Sequence, residues 1–430
     1  MRRILIVGGG QSALYLGHGL LRHGYEVTLM TAQTTEEVRA GLPSVLQFTP
    51  PTVLLSEREA GLPVWENDAP PIERLRMRVR TGAHEVAFTG AFSAGYAVSV
   101  DRRLKMADWL ELFKARADET GHGRVITHGV TVTDLDYFTR LFDLVIVAVG
   151  NGELGELFDP DPTRQGGAHP RTVVQAYLDG DTVDGPAEGV MDVVSAQPGG
   201  PDDAGEVFFA PVLTHEGAGY AVMALAAPGG PLDAAVAARR ARERVRHAFS
   251  PDLALHTLLT QTKTWAPEVF ARIAHARPIR GSAVLGQRVD PVVRHPVGVL
   301  PSGGLVLGMA DAVVTTGPLC GQGWNTSTRC AQVYLEHVLA HGDRPFDEMF
   351  MDAAFTAFWD TYGEASAAFS EISHGVFPAH FPHLLGAAGA FGEVADRWVD
   401  GIDDPRKLRD WMFDAERAHA YLAQLTTSAS

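Results

Sequence analysis

Cysteine is scarce in this chain: only Cys320 and Cys330 occur among 430 residues. Neither sits in a C-x-x-C pair, so a disulfide framework and a zinc site are disfavoured, and a reducing, cytoplasmic setting fits. Basic charge is also short. Thirty-six Lys and Arg face 52 Asp and Glu, a formal net charge of −16. That balance argues against nucleic acid or an anionic membrane as partner. It leaves phosphate-bearing ligands open, because backbone N–H groups at a helix start bind phosphate without net positive charge. Long apolar runs are missing too. No stretch reaches about 18 uninterrupted apolar residues, so no membrane-spanning helix is expected. The apolar run after Arg3 turns glycine-rich at Gly8, so no secretory signal is expected. There is no G-x-S-x-G, which leaves acyl transfer without support. His337 and His341 have i, i+4 spacing but lack the adjacent Glu of H-E-x-x-H. They read as surface or helix-end residues, as do His380 and His383, and no metal site is expected.

What remains is an ordinary globular composition, 46% apolar and 20% charged. The N-terminal stretch "RRILIVGGGQSALYLGHGLLRHGYEVTLMT" reads as strand, glycine turn, helix and strand. Ile4 to Val7 is a short buried strand, and Ser12 to His23 has helical spacing. Gly8, Gly10 and Ala13 fit G-x-G-x-x-G/A in the required strand-to-helix context. Gly8 permits the tight turn, Gly10 lets a pyrophosphate approach the backbone, and Ala13 with Gly17 allows close packing of the helix. The acidic residue that normally follows about 20 positions on is absent; Thr31 stands after Met30. Either Thr31 bonds the ribose as a neutral group, or the ribose is held differently.

Further along, "DLVIVAV" from Asp143 is another buried strand, and Pro160 to Gly205 is rich in Gly, Pro and Asp. Glu206 to Leu213 and Tyr220 to Leu225 read as antiparallel strands, and Pro231 opens a strong helix. Gly304 to Leu307 is a strand leading to Asp311, and Pro318, Gly321 and Gly323 precede a helix over Thr326 to Ala340. The expected fold is α/β: a Rossmann-like dinucleotide-binding domain (1–160 plus 281–345), interrupted by a mixed or antiparallel β-sheet substrate domain (161–280), with a helical C-terminal region (346–430).

Five segments carry a resemblance to a family. They are "IVGGGQSALYLG", "VLQ…SEREAGLPVWE" from Val45, "VDRRLKMADW" from Val100, "DLVIVAVGNGELGELF" from Asp143, and "GMADAVVTTGPLCGQGWN" from Gly308. Together with "GEVFFAPVLT" and the tail "FPAHFPHLLGAAG…FGEVADRW", they make the chain resemble the oxygenase component of two-component styrene/indole monooxygenases. The resemblance implies an FAD-binding fold over nearly the whole chain. It puts Gly8, Gly10, Ser12, Ala13 and Thr31 at the adenosine diphosphate end, and Arg103 and Gly150 near the cofactor. Asp311, Pro318, Gly321, Gly323 and Asn325 would surround the ribityl chain and ring, with Gln47 and Pro318 beside the ring. Phe208, Phe209, Pro211, Pro291, Val292 and Val293 are candidates for an apolar substrate pocket; each could equally be core. Arg103 could instead pair with Asp101, and Gln47 could be an ordinary loop amide. "GLPSVLQF" departs from the Arg and Ser or Asn that relatives carry before that polar position.

The resemblance also implies the chemistry. Single-component aromatic hydroxylases carry D-G-x-x-S-x-x-R after the strand that here is "DLVIVAV"; this chain has Val149, Gly150, Asn151, Gly152. Flavin halogenases carry G-W-x-W-x-I-P, absent here. Reduced FAD would therefore arrive as a co-substrate from a separate NAD(P)H:flavin reductase. It would react with O2 to a C4a-hydroperoxide that epoxidises or hydroxylates a small aromatic or apolar, styrene- or indole-like substrate. The flavin does the hard step, and no general acid–base dyad is evident in the sequence. Oxidised FAD is expected to exchange readily. A single-component NAD(P)H-dependent hydroxylase and a non-catalytic flavin-binding protein are the alternatives, and a homodimer stays open.

Overall fold

A computed structural model describes every residue of the chain except 44–46, 83, 151, 168, 186–187, 198, 234–250, 318–321 and 429–430. Most of the helix expected from Pro231 lies outside the described residues. The chain begins with β1 (Arg3–Val7), α1 (Gln11–Arg22) and β2 (Glu26–Thr31), the βαβ unit its pattern calls for. Then come α2 (Thr35–Ala40), β3 (Phe48–Thr49), α3 (Pro51–Glu59), β4 (Arg74–Thr81), β5 (His84–Ala91) and β6 (Val98–Ser99). A long α4 (Arg102–Thr120) leads to β7 (Gly123–Thr127), α5 (Val132–Phe138) and β8 (Leu144–Val147). The middle of the chain supplies β9 (Arg171–Asp179), β10 (Val190–Gln197), β11 (Gly205–Thr214) and β12 (Gly217–Ala226). Helices α6 (Pro251–Trp265) and α7 (Pro267–Ile273) follow, then β13 (Val284–Val289), β14 (Val292–Val293), β15 (Val297–Val299), β16 (Leu305–Gly308), β17 (Val314–Thr315) and α8 (Gln322–His341). The tail is helical: α9 (Glu348–Phe358), α10 (Glu364–His374), α11 (Phe381–Ala390), α12 (Gly392–Asp403) and α13 (Ala415–Ser428).

Two sheets organise these elements. The first has six strands in the order β15-β16-β8-β1-β2-β7, parallel except for β15. Helices α1, α4 and α8 pack in its core with Leu14, Phe113 and Tyr334. The second has seven strands, β13-β9-β12-β11-β10-β4-β5, antiparallel except where β10 runs alongside β4. Its central strands are buried on both faces. One face packs on α10, α11 and α12 through Phe208, Phe369, Leu384 and Trp398; the other packs on α6 and α7 through Phe209, Leu258 and Ile273. Burial on both sides explains why β11 reads as a continuous apolar run rather than an alternation.

The strand pair β4–β5 departs from the expected boundaries. It lies within the first 160 residues yet belongs to the second sheet. The reason is its "RLRMRVRT" alternation: Leu75, Met77 and Val79 enter the core, while Arg76, Arg78 and Arg80 stay outside and pair with Asp192, Glu85 and Glu268. The tail is divided as well. Phe350, Phe355 and Phe358 of α9 join the first core, and α11 and α12 join the second.

At the outer edge, β5 is covered by α12. A side chain at Gly90 would run into the Ala395 carbonyl and Val399. Beside it, Ala91 N–H donates to Asp396 Oδ1 at 2.7 Å, and Ser93 N–H to Asp400 Oδ1 at 2.9 Å. Gly90→Val is expected to cost about 1–3 kcal/mol by overpacking this contact, read by chemical denaturation. Unchanged stability would mean that the helix does not dock there.

Candidate functional site

The site is built where two helices begin. Gly8 adopts φ +139°, which favours glycine, and a Cβ there would lie 2.9 Å from the Ala148 carbonyl oxygen. Gly10 stands at the N-cap of α1. No side chain caps that helix, its first turn holds no acidic residue, and nothing lies within 4 Å of where a Gly10 Cβ would be. The orphan N–H groups of the turn therefore face open space. Helix α8 also lacks an acidic residue in its first turn, and Gly323 likewise borders open space. The two starts touch: Gln11 Nε2 donates to Thr328 Oγ1 at 2.5 Å and approaches the Trp324 carbonyl at 3.5 Å. Two helix N-termini at one point make a strong anion site. Ser12 and Ala13 are buried in the first turn of α1. Thr31 lies beside Gly9, but its hydroxyl is engaged with Gln33, donating to O at 3.2 Å and accepting from N at 3.3 Å. It shapes the turn rather than offering a free hydroxyl.

Asp311 follows β16, and the preceding Ala310 holds φ +55°, a strained value for a non-glycine residue. Cys330 accepts the Ala310 N–H at 3.4 Å, and Tyr334 OH donates to the Gly308 carbonyl at 2.8 Å, so α8 braces the turn. Burial pushes the Cys330 thiol up to about 12, which leaves it inert. Gly150 is required at its position, since a Cβ would lie 2.6 Å from the Asp311 carbonyl oxygen. The Asp311 side chain is open to solvent although protein surrounds it. It lines a deep recess rather than the outer surface. Desolvation raises its pKa to about 6, opposed by Arg102 and Arg294. Asn325 is buried, and among the described residues neither of its amide atoms nor Thr326 Oγ1 beside it has a hydrogen-bond partner. Orphaned polar groups next to open helix starts fit a polar ligand that supplies the missing bonds. Pro318 and Gly321 lie outside the described residues.

Arg103 takes the alternative reading. Asp101 caps α4, accepting the Arg103 N–H at 2.9 Å, and then binds the same residue's guanidinium at 2.6 Å. Its neighbour Arg102 instead lies 5.1 Å over the Trp324 ring, within the field of Asp311, with no hydrogen bond or ion pair to a described residue. The sequence reading missed Arg102, although the doubled Arg after a capping Asp was visible. It also missed a fully buried hub. Lys105 Nζ donates to Glu57 at 2.7 and 2.8 Å and to Thr49 at 3.2 Å, and Gln11 Nε2 donates to Glu57 at 3.1 Å. Gln47, wholly buried, donates its amide N–H to Gln11 Oε1. Burial drives Glu57 up and Lys105 down, and each pulls the other back.

The pocket candidates separate. Phe208 packs on the sheet face that looks toward Phe48 and α10, the neighbourhood of Gln47. Phe209 and Pro211 are one step out of phase, so they take the other face; Phe209 packs under α6 and α7 with Arg272 over its ring. They do not line the same surface as Phe208. Val293 is buried in the first core. Val292 pairs with Thr315, and Pro291 lies near Gly167. A polar couple that the sequence did not disclose lies on the Phe208 face: buried His374 Nε2 is 3.5 Å from Glu206 Oε2, with Arg171 holding the His374 carbonyl. His380 is also a correction, being buried and bonded to the Met412 carbonyl at 2.8 Å rather than surface-exposed. Among the described residues no cluster could hold a metal ion, and no helix is long and apolar enough to cross a membrane.

Residues 150–272 match the family model described as the styrene monooxygenase A putative substrate binding domain. Over 97% of its length the chain is 25% identical to styrene monooxygenase StyA of Pseudomonas fluorescens, covering 96% of that protein. It is 25% identical to the StyA of a Pseudomonas species, over 98% of each chain. Among solved structures, the flavin-dependent brominase Bmp2 superposes with a TM-score of 0.62 at 12% identity over 99% of each chain. The p-nitrophenol 4-monooxygenase PnpA of Pseudomonas putida DLL-E4 gives 0.59 at 13%, over 94% of this chain and 99% of that one. At such identities these two structures speak for the fold alone. Fold, site and relatives together define a flavin-dependent monooxygenase. Within that class the chain is similar to oxygenases of the styrene monooxygenase type.

Glu57→Leu leaves the Lys105 ammonium buried without its carboxylate and is expected to cost about 3–5 kcal/mol. Adding Lys105→Met should recover most of that loss. Denaturation of the single and double variants measures the difference; equal losses would rule out a coupled pair.

Proposed function

We propose that the chain is the oxygenase component of a two-component system. It takes reduced FAD from a separate NAD(P)H:flavin reductase and, with O2, oxygenates a small aromatic or apolar substrate of styrene or indole type. The observation that carries the cofactor reading is the meeting of two helix starts, both without an acidic residue in the first turn, around Gly10 and Gly323. A diphosphate fits that point. When bound, reduced FAD supplies the electrons that activate O2 and delivers one oxygen atom to the substrate.

The chain's own residues bind, orient and exclude water. Asp311, aimed into the recess, would accept hydrogen bonds from ligand hydroxyls. Arg102 would add positive charge beside them, replacing Arg103 in that role. Asn325 would give and accept bonds that it lacks in the protein alone. Thr31, already bonded to Gln33, would support the turn and leave the ribose weakly held, in keeping with an exchangeable cofactor. The apolar face bearing Phe208 would receive the substrate. Val149 and Gly150 stand where self-reducing hydroxylases carry Asp-Gly, which supports an external reductase.

The purified chain mixed with FAD and NADH or NADPH is expected to leave the flavin oxidised. Adding a flavin reductase with indole or styrene should then yield an oxygenated product. Rapid reduction without the reductase would contradict the two-component reading.

Asp311 makes binding depend on pH. Its folded-state pKa lies above the ordinary carboxylate value, so ionising it costs the ligand-free protein stability: fully above about pH 6, not at all once pH falls below the usual Asp range. Ligand hydroxyls favour the ionised form. FAD affinity should therefore rise with pH through about 6. Asp311→Asn should flatten that rise and weaken binding by about 10- to 100-fold, as loss of a charged hydrogen bond does. Titrations at pH 5 to 8 test this; a parallel pH profile in the variant would exclude Asp311 as its source.

A further inference from the structure

The end of α10 touches both halves of the site. Its last residue, His374, lies four positions after Ser370, so the two side chains share one face of the helix. That face is pressed on Gly317, the residue before Pro318. Ser370 Oγ accepts the Gly317 N–H at 3.0 Å. A Cβ on Gly317 would lie 2.4 Å from both Ser370 Oγ and His374 Nδ1. The Gly317 backbone is not in the left-handed region, so space rather than conformation calls for glycine there.

The same helix end is tied to three strands of the second sheet. Arg171 of β9 donates to the His374 carbonyl at 2.8 Å, and Gln197 of β10 donates to the Ser373 carbonyl at 3.1 Å. Both carbonyls belong to the last turn, which has no helical donors for them. Glu206 Oε2 of β11 stands 3.5 Å from His374 Nε2. A carboxylate only accepts, so the ring proton belongs on Nε2, and the Nδ1 lone pair is turned to Gly317. Burial lowers the His374 pKa, with Glu206 pulling it back, so the ring is neutral near pH 7. Arg171, Gln197, Glu206 and His374 are all buried. They act on backbone and on one another, and none of them has to meet a ligand. Phe208 lies two residues beyond Glu206, on the same face of the sheet. Helix α10 therefore fixes the spacing between that face and Gly317.

We propose that Ser370 and His374 are positioning residues for oxygen transfer: anchored to β9, β10 and β11, they hold Gly317, and with it Pro318, at a set distance from the substrate face. This rests on the flavin reading above, which puts Pro318 beside the ring. A fixed gap keeps water out and holds the substrate within reach. When the gap is wrong, reduced FAD passes two electrons and two protons to O2, hydrogen peroxide is released, and the substrate is left unoxidised.

The test uses the full-length chain with FAD, a flavin reductase and indole. Two quantities are read: the visible circular dichroism of bound oxidised FAD, which reports the surroundings of the ring, and the ratio of oxygenated product to hydrogen peroxide. Ser370→Ala, His374→Leu and Gly317→Ala should each alter the dichroism and lower the ratio about tenfold, less than the roughly 100-fold that a misplacement of about 1 Å can cost. His374→Gln, which keeps a donor for Glu206, should retain most of the wild-type ratio. FAD affinity should stay near wild type throughout, because the starts of α1 and α8 are untouched. If His374→Leu fails to fold, Gly317→Ala still decides, since it leaves every anchor of α10 in place. If wild type does not oxidise indole, the dichroism decides alone. Unchanged dichroism in Gly317→Ala and Ser370→Ala, or an unchanged ratio where indole is oxidised, would overturn the proposal. A wild-type chain that binds no FAD would instead remove the flavin reading, and this inference with it.

Discussion

Two positive helix ends meet at one point in this protein, and much of the molecule is arranged around that fact. Each helix start carries roughly half a positive charge, and neither α1 nor α8 has an acidic residue in its first turn to offset it. Close approach of like ends is unfavourable unless something negative lies between them. The buried carboxylate that Gln11 of α1 contacts, Glu57, is already matched by Lys105. The helices are nevertheless held together along their length, because Gly19 has no side chain to obstruct Leu335 of α8 and Gly17 admits Phe113 of α4. Packing thus enforces a geometry that electrostatics alone would resist, and an anionic ligand relieves it.

The parts of this arrangement that were legible in the sequence are those written within about thirty residues. The βαβ unit, the β11–β12 pair and the strand–Asp311–helix sequence each follow from local periodicity and glycine placement. The hub was not legible. Gln11 lies 46 residues from Glu57 and 317 from Thr328, and each alone reads as a solvated polar residue on a helix. Arg102 and Arg103 could not be told apart by composition; the choice is made by Asp101, which caps α4 and claims the second arginine. Phe208 and Phe209 read together as pocket candidates; as neighbours on β11 they face opposite ways, and a strand covered on both sides does not announce which face adjoins the site.

The sheet that carries Phe208 shows how one strand set serves two purposes. The face under α6 and α7 is packed for stability, with Arg272 and Asp192 paired near Phe209. The opposite face mixes apolar side chains with the buried Glu206 and His374. Strand β4, inserted from the first part of the chain, ties this sheet to the nucleotide-binding half, so the two halves share covalent connections in both directions.

The far edge of that sheet has a consequence for the protein in bulk. Backbone N–H groups at the end of a last strand are the groups another chain would use to extend the sheet. Here the N–H groups of Ala91 and Ser93 are bound by Asp396 and Asp400. The carboxylates close the edge chemically and charge it as well. At that margin these two backbone donors are already taken and two carboxylates stand before them, so crowded copies of this acidic chain meet a less inviting edge for fibrous aggregation.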